Sequence, residues 1–124
     1  MSKILSVDDS ATMRRIIGRA VSVLGFDFLE AENGLQALEV MEKNLDGLDL
    51  VILDVNMPEM DGFETLRRIK TDPRFKNIPV MMVTTESDRA RIIEAIQAGA
   101  ANYLTKPFSQ EDLATKIAAI LGGF

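Results

Sequence analysis

The chain has 124 residues, 14 of them basic and 19 acidic, for a formal net charge of -5; this fits one domain around one core and argues against bulk affinity for nucleic acid or anionic lipid. Cys and His are both absent, which removes disulfides, thiolate metal sites, a thiol nucleophile and any His-Asp hydrolase triad, and leaves carboxylates, Lys and hydroxyls for chemistry. No apolar stretch approaches the roughly 20 residues of a membrane span, and MSKILSVDD lacks a cleavable signal pattern, so a cytoplasmic protein without membrane insertion is expected.

Short apolar runs alternate with helical patterns along the chain. KILSVD (Lys3–Asp8) reads as a strand, after which Met13, Ile16, Ile17, Ala20, Val21 and Leu24 recur at helical spacing up to Gly25. Arg14, Arg15 and Arg19 read as the solvated face of that helix. FDFLEA (Phe26–Ala31) alternates like a less buried strand, and Leu35, Leu38, Met41 and Leu45 mark a second helix. LVILDV (Leu50–Val55) is a strand buried on both faces. Phe63, Leu66 and Ile69 mark a third helix that must end near Asp72-Pro73. IPVMMVT (Ile78–Thr84) is the fourth strand, and Ile92, Ile93 and Ile96 give a fourth helix closed by Gly99. NYLT (Asn102–Thr105) is a short fifth strand, and Leu113, Ile117, Ile120 and Leu121 give a last helix ending at Gly122-Gly123. Met57, Met60, Met81 and Met82 read as core and loop packing.

Five strand-then-helix repeats predict an α/β protein with a parallel sheet, helices on both faces and right-handed crossovers. Ligands bind such sheets beyond the carboxyl ends of the strands. Those ends carry Asp8-Asp9, Asp54, Thr84-Thr85 and Lys106-Pro107. Taken singly, Asp8-Asp9 read as a helix start, Asp54 as a turn former, Thr84 as a strand residue and Lys106 as a surface charge. On one rim they form a constellation. An acid at the end of a buried run costs several kcal/mol unless something pairs it. Three carboxylates within a few ångströms repel by up to about 4 kcal/mol per ionised pair at an effective dielectric near 20, so the pocket requires a multivalent cation or a proton. Oxygen-only ligands favour Mg²⁺ or another hard ion over Zn²⁺. A carboxylate between such a cation and an ammonium is a plausible nucleophile toward a phosphoryl group.

VDDSATMRRI, LVILDVNMPEMDG, VMMVTTE and YLTKPF together resemble the receiver domain of two-component response regulators, along essentially the whole chain, residues 1–124. The resemblance implies a flavodoxin-like sheet of order 2-1-3-4-5. It implies Asp54 as phosphoacceptor, Mg²⁺ held by Asp8, Asp9, Asp54 and the backbone carbonyl of Asn56, and Lys106 paired with the phosphoryl oxygens before a cis Lys106-Pro107 peptide. Thr84 becomes the switch hydroxyl, and Tyr103 the aromatic that swings inward behind it. Asn56, Thr85 and Glu86 fall where the family tunes dephosphorylation. The implied partners are a histidine kinase as phosphodonor, a phosphatase, and an output protein such as the flagellar motor switch, met on a face around Ile92, Ile96, Tyr103, Lys106 and Phe108. The expected protein is a monomeric signalling phosphoprotein, one that carries out its own phosphorylation and dephosphorylation chemistry without being an enzyme in the ordinary sense. A phosphorelay shuttle or a phosphate sink would use the same pocket. A haloacid-dehalogenase-type phosphatase carries DxD after its first strand, where this chain has DDS. A flavin or nucleotide binder wants a Gly- or Ser/Thr-rich anion loop, where Asp8-Asp9 repel phosphate.

Overall fold

The apolar runs form a parallel sheet in the computed structural model, which describes residues 2–57, 60–85 and 89–122. In chain order the elements are β1 (Lys3–Val7), α1 (Ala11–Val23), β2 (Asp27–Ala31), α2 (Gly34–Lys43), β3 (Leu48–Asp54), α3 (Gly62–Thr71), β4 (Val80–Thr85), α4 (Arg89–Gln97), β5 (Asn102–Lys106) and α5 (Gln110–Leu121). The sheet order is β2-β1-β3-β4-β5, the flavodoxin-like order expected, and every pairing is parallel.

Side chains alternate across a strand, so a strand covered on both faces must be apolar at both parities. Leu5, Val7, Val51, Leu53, Val80 and Met82 point to one face, under Ala37, Met41, Phe63, Leu66, Ile69 and Ala95. Ile4, Leu50, Ile52, Met81, Val83 and Leu104 point to the other, under Ile17, Ala20, Val21, Leu113 and Ile117. Met60, Met81 and Met82 are buried and Met57 is half-buried, as packing residues would be. Helices α1, α2, α3 and α5 begin on side chains that accept from their free first-turn N–H groups. Ser10 accepts from Met13, Asn33 from Gln36, Asp61 from Glu64, and Ser109 forms a reciprocal box with Asp112.

Element ends differ from the periodicity in places. β3 starts at Leu48 rather than Leu50 because Leu48 pairs with Lys3 before a register shift lets Ile4 pair with Leu50. β4 starts at Val80 rather than Ile78, since Pro79 has no N–H and only its carbonyl joins the ladder, accepting from Val51 N. α4 turns its inner face through Ala95, which is 1 % exposed, while Ile93 and Ile96 are 62 % and 45 % exposed. Of the three isoleucines that suggested this helix, Ile93 and Ile96 therefore face outward rather than toward the core, and Ile92 is half-buried.

One close approach ties α3 to the site. A Cβ on Gly62 would run into the backbone carbonyl oxygen of Asp54 and lie 2.8 Å from Val55 Cα, while Gly62 N donates to Val55 O. The obstacle is main chain and cannot rotate away. Gly62→Ala should therefore lower stability by about 2 kcal/mol in spite of alanine's better helix propensity, read as a lower urea midpoint at unchanged slope.

Candidate functional site

Parallel strands put their carboxyl ends on one rim, and the chain leaves β1 and β3 there as acids. Asp8, 2 % exposed, is held on several sides. Its N–H donates to Ala31 O at 3.1 Å, its Oδ1 accepts from Ser10 N at 2.9 Å, and its Oδ2 lies 3.4 Å from Lys106 Nζ. Asp54, 5 % exposed, ends β3 with its Oδ1 also 3.4 Å from Lys106 Nζ. Lys106 closes β5 and spans both acids. Asp9 is exposed, and ligand oxygens of Asp8, Asp9 and Asp54 all lie within 4.8 Å of one another.

Three carboxylates and one ammonium leave the pocket negative. Burial pushes the Asp54 carboxyl up to about 6, the charge of Asp8 pushes it the same way, and Lys106 and the Asn56 N–H pull it back. The pocket therefore favours either a proton on Asp54 or a cation among the acids. The donor set, all hard carboxylate oxygen, suits a divalent ion of the Mg²⁺ kind.

Thr84, one residue beyond the Val83 that pairs with Asp54, is 2 % exposed. Among the described residues its Oγ1 has no hydrogen-bond partner. A buried hydroxyl left so costs about 1–3 kcal/mol and is a donor waiting for an acceptor. Thr85, exposed, pairs in register with Lys106, and Tyr103 pairs with Met82. Tyr103 is half-buried, with Lys116 Nζ 4.4 Å from its ring centroid. Asn56 is exposed just past β3. The Lys106-Pro107 peptide is cis, as expected. Glu86 lies outside the described residues.

Arg14 departs from its expected solvated setting. Arg15 and Arg19 are exposed, but the Arg14 side chain is only 11 % exposed and donates from Nη1 to Asp8 O at 2.6 Å and from Nε to Glu30 Oε1 at 2.8 Å. The signal was in the spacing, because position 14 precedes Ile17 by three, Gly18 by four and Val21 by seven, all of them buried. That places Arg14 on the inward stripe of α1.

No helix among the described residues is long and apolar enough to cross a membrane. Residues 4–118 match the response regulator receiver domain. The chain is 47 % identical over 121 residues to chemotaxis protein CheY1 of Helicobacter pylori, covering 97 % of each. It is 44 % identical to a CheY homolog of Campylobacter jejuni, covering 97 % of this chain and 92 % of that one. The crystallised chemotaxis protein CheY4 of Vibrio cholerae superposes with a TM-score of 0.88 at 33 % identity, over 97 % of this chain and 98 % of the other. With the parallel fold, the acid trio and the shared lysine at one rim, these likenesses mean that the chain belongs to the response regulator receiver domain family of two-component systems and is similar to CheY chemotaxis proteins over nearly its whole length.

Proposed function

We propose that this receiver is a phosphoacceptor switch of a two-component system, with Asp54 as the acceptor and chemotaxis as its output. The observation that carries the proposal is the setting of Asp54: a carboxylate at the end of a buried strand, in a cluster with Asp8 and Asp9, and 3.4 Å from Lys106 Nζ. Asp8, Asp9, Asp54 and the Asn56 carbonyl would hold Mg²⁺. Bound there, the ion would supply positive charge against the acids and the phosphoryl oxygens.

An Asp54 oxygen attacks the phosphorus of a phosphohistidine on the kinase. The O–P bond forms as the N–P bond breaks, and the departing histidine nitrogen keeps the electron pair and takes up a proton. Lys106, already poised between Asp8 and Asp54, turns toward a phosphoryl oxygen as the new charge arrives. The buried Thr84 hydroxyl donates to another and so gains the acceptor it lacks. Its movement opens room behind β4 for the Tyr103 ring, which exchanges its contact with Lys116 for burial. The output partner reads the resulting face of α4, β5 and α5, where Ile93 and Ile96 stand exposed. Because a partner shifts a two-state equilibrium only through its differential affinity, it must bind the phosphorylated form more tightly.

The direct test is incubation with acetyl phosphate and Mg²⁺ followed by mass spectrometry of the peptide containing Asp54, where an acyl phosphate is expected. A further expectation separates chemistry from signalling. Lys106→Ala and Thr84→Ala should still accept phosphoryl, yet each should lose roughly tenfold in affinity for the output partner, about 1.4 kcal/mol of coupling. Partner binding by both phosphorylated variants at wild-type strength would break the proposed link between pocket and surface.

A further inference from the structure

We infer that Arg14 is a positioning residue for the acid pair: its forked guanidinium fixes the Asp8-Asp9 peptide and, through it, the place of the Asp9 carboxylate. The inference rests on the proposed metal-holding role of Asp8 and Asp9. The two acids are held very differently. Asp8 is anchored at its N–H by Ala31, at Oδ1 by Ser10 and at Oδ2 by Lys106. The Asp9 carboxylate is exposed and, among the described residues, has no hydrogen-bond or ion-pair partner. Its position is set by its backbone alone. In the peptide that leads into Asp9 the Asp8 carbonyl is the group that is gripped, by Arg14 Nη1 donating to it at 2.6 Å.

Arg14 is fixed in turn. Its backbone sits in the first turn of α1, where Arg14 N donates to Ser10 O, and its Nε is held at 2.8 Å by Glu30 on β2. The clamp thus runs from the sheet edge through a planar fork to the peptide between the two acids. Glu30 also offsets a positive charge that would otherwise oppose a cation close by. A rigid fork with donors in fixed directions suits this task better than a single flexible ammonium, and groups that orient metal-holding residues typically matter by 10-fold or more in affinity.

Charge alone predicts the opposite sign, since removing a cation beside an acid cluster should strengthen Mg²⁺ binding. Arg14→Met, which keeps an apolar stem but no donor, should weaken Mg²⁺ binding about tenfold by titration calorimetry. Arg14→Lys should fall between Arg14→Met and wild type, because one donor can still reach the Asp8 carbonyl. In chelator, the backbone ¹⁵N order of Asp9 should drop in Arg14→Met while Asp54 is unchanged. A residue that merely supported the fold would lower the urea midpoint in chelator and leave the Mg²⁺ affinity of the folded protein alone. Arg14→Met binding Mg²⁺ as tightly as wild type or more so, with the Asp9 amide unmoved, would overturn the clamp. Should Arg14→Met fold poorly, Arg14→Lys decides by the same two measurements, and wild-type values in both overturn it. A wild type that binds no Mg²⁺ would instead fail the metal reading, and the Asp9 amide in chelator would still decide the clamp.

Discussion

Asp54→Asn is expected to take up no phosphoryl group from acetyl phosphate or from a histidine kinase, and yet to be more stable than wild type at neutral pH without metal. The first effect follows from the nucleophile, because an amide oxygen of the same shape lacks the charge that attacks phosphorus. The second follows from burial. In the folded protein the Asp54 carboxyl titrates at about 6 instead of the ordinary 3.8, so the native state holds that proton more tightly than the unfolded chain does. The stability this lends is complete below the unfolded value and is lost as pH rises from about 4 through about 6. Solvent at the mouth of the site moderates the loss, leaving about 2 kcal/mol from a shift of this size. The amide that replaces the carboxyl does not titrate. In chelator the variant should therefore exceed wild type by about 1–2 kcal/mol at pH 7.5, reduced by what Lys106 loses with one of its two acids, and the gap should close toward pH 4. Urea denaturation at the two pH values measures it. Equal stabilities at both would mean that the buried carboxylate is not strained by its surroundings, and an undiminished acyl phosphate in the variant would place the acceptor elsewhere.

The site was legible because its chemistry stands where the apolar pattern stops. LVILDV announces a strand buried on both faces, and Asp54 ends it; the same logic pointed to Asp8-Asp9 and Lys106, and Asp8 and Lys106 lie 3.4 Å apart in the fold. What periodicity could not decide was which way an apolar helix stripe points when a small residue does the packing. In α4 Ala95 is buried, Ile93 and Ile96 are out and Ile92 is half-buried, so two of the three larger side chains traced the wrong face. A stripe of isoleucines left in solvent serves binding more readily than folding. Arg14 was hidden by the opposite prejudice. Among three arginines on one helix, only the one in step with Ile17 and Val21 folds down onto the sheet edge, and charge masked a position that spacing marked as inward. Tyr103 could be placed on its strand but not given a task by pattern alone, since a half-buried aromatic on an edge strand is ordinary packing. Its contact with Lys116 appears only in three dimensions, because β5 and α5 bring together residues far apart in the chain.

Mg²⁺ is expected to stabilise the wild type by about 2.7 kcal/mol at a hundredfold over its dissociation constant, a rise in melting temperature on the order of 10 °C for a domain of this size. A cation there would offset the mutual repulsion of Asp8, Asp9 and Asp54, whose ligand oxygens lie within 4.8 Å of each other, and it would bind only the folded arrangement, because the unfolded chain scatters the three. Asp9→Ala is the informative variant. Asp9 is exposed and holds no partner among the described residues, so its loss costs the metal-free fold little and can even relieve repulsion. Asp8→Ala is harder to read, since Asp8 is buried, accepts from Ser10 N and shares Lys106, and its removal disturbs the start of α1 together with any metal. Thermal unfolding of Asp9→Ala should therefore give the same midpoint in Mg²⁺ as in chelator, close to the chelated wild type, while the wild type separates clearly between the two conditions. Wild-type midpoints that coincide with and without Mg²⁺ would show that Lys106 and a proton on Asp54, rather than a divalent ion, balance the charge at the end of β3.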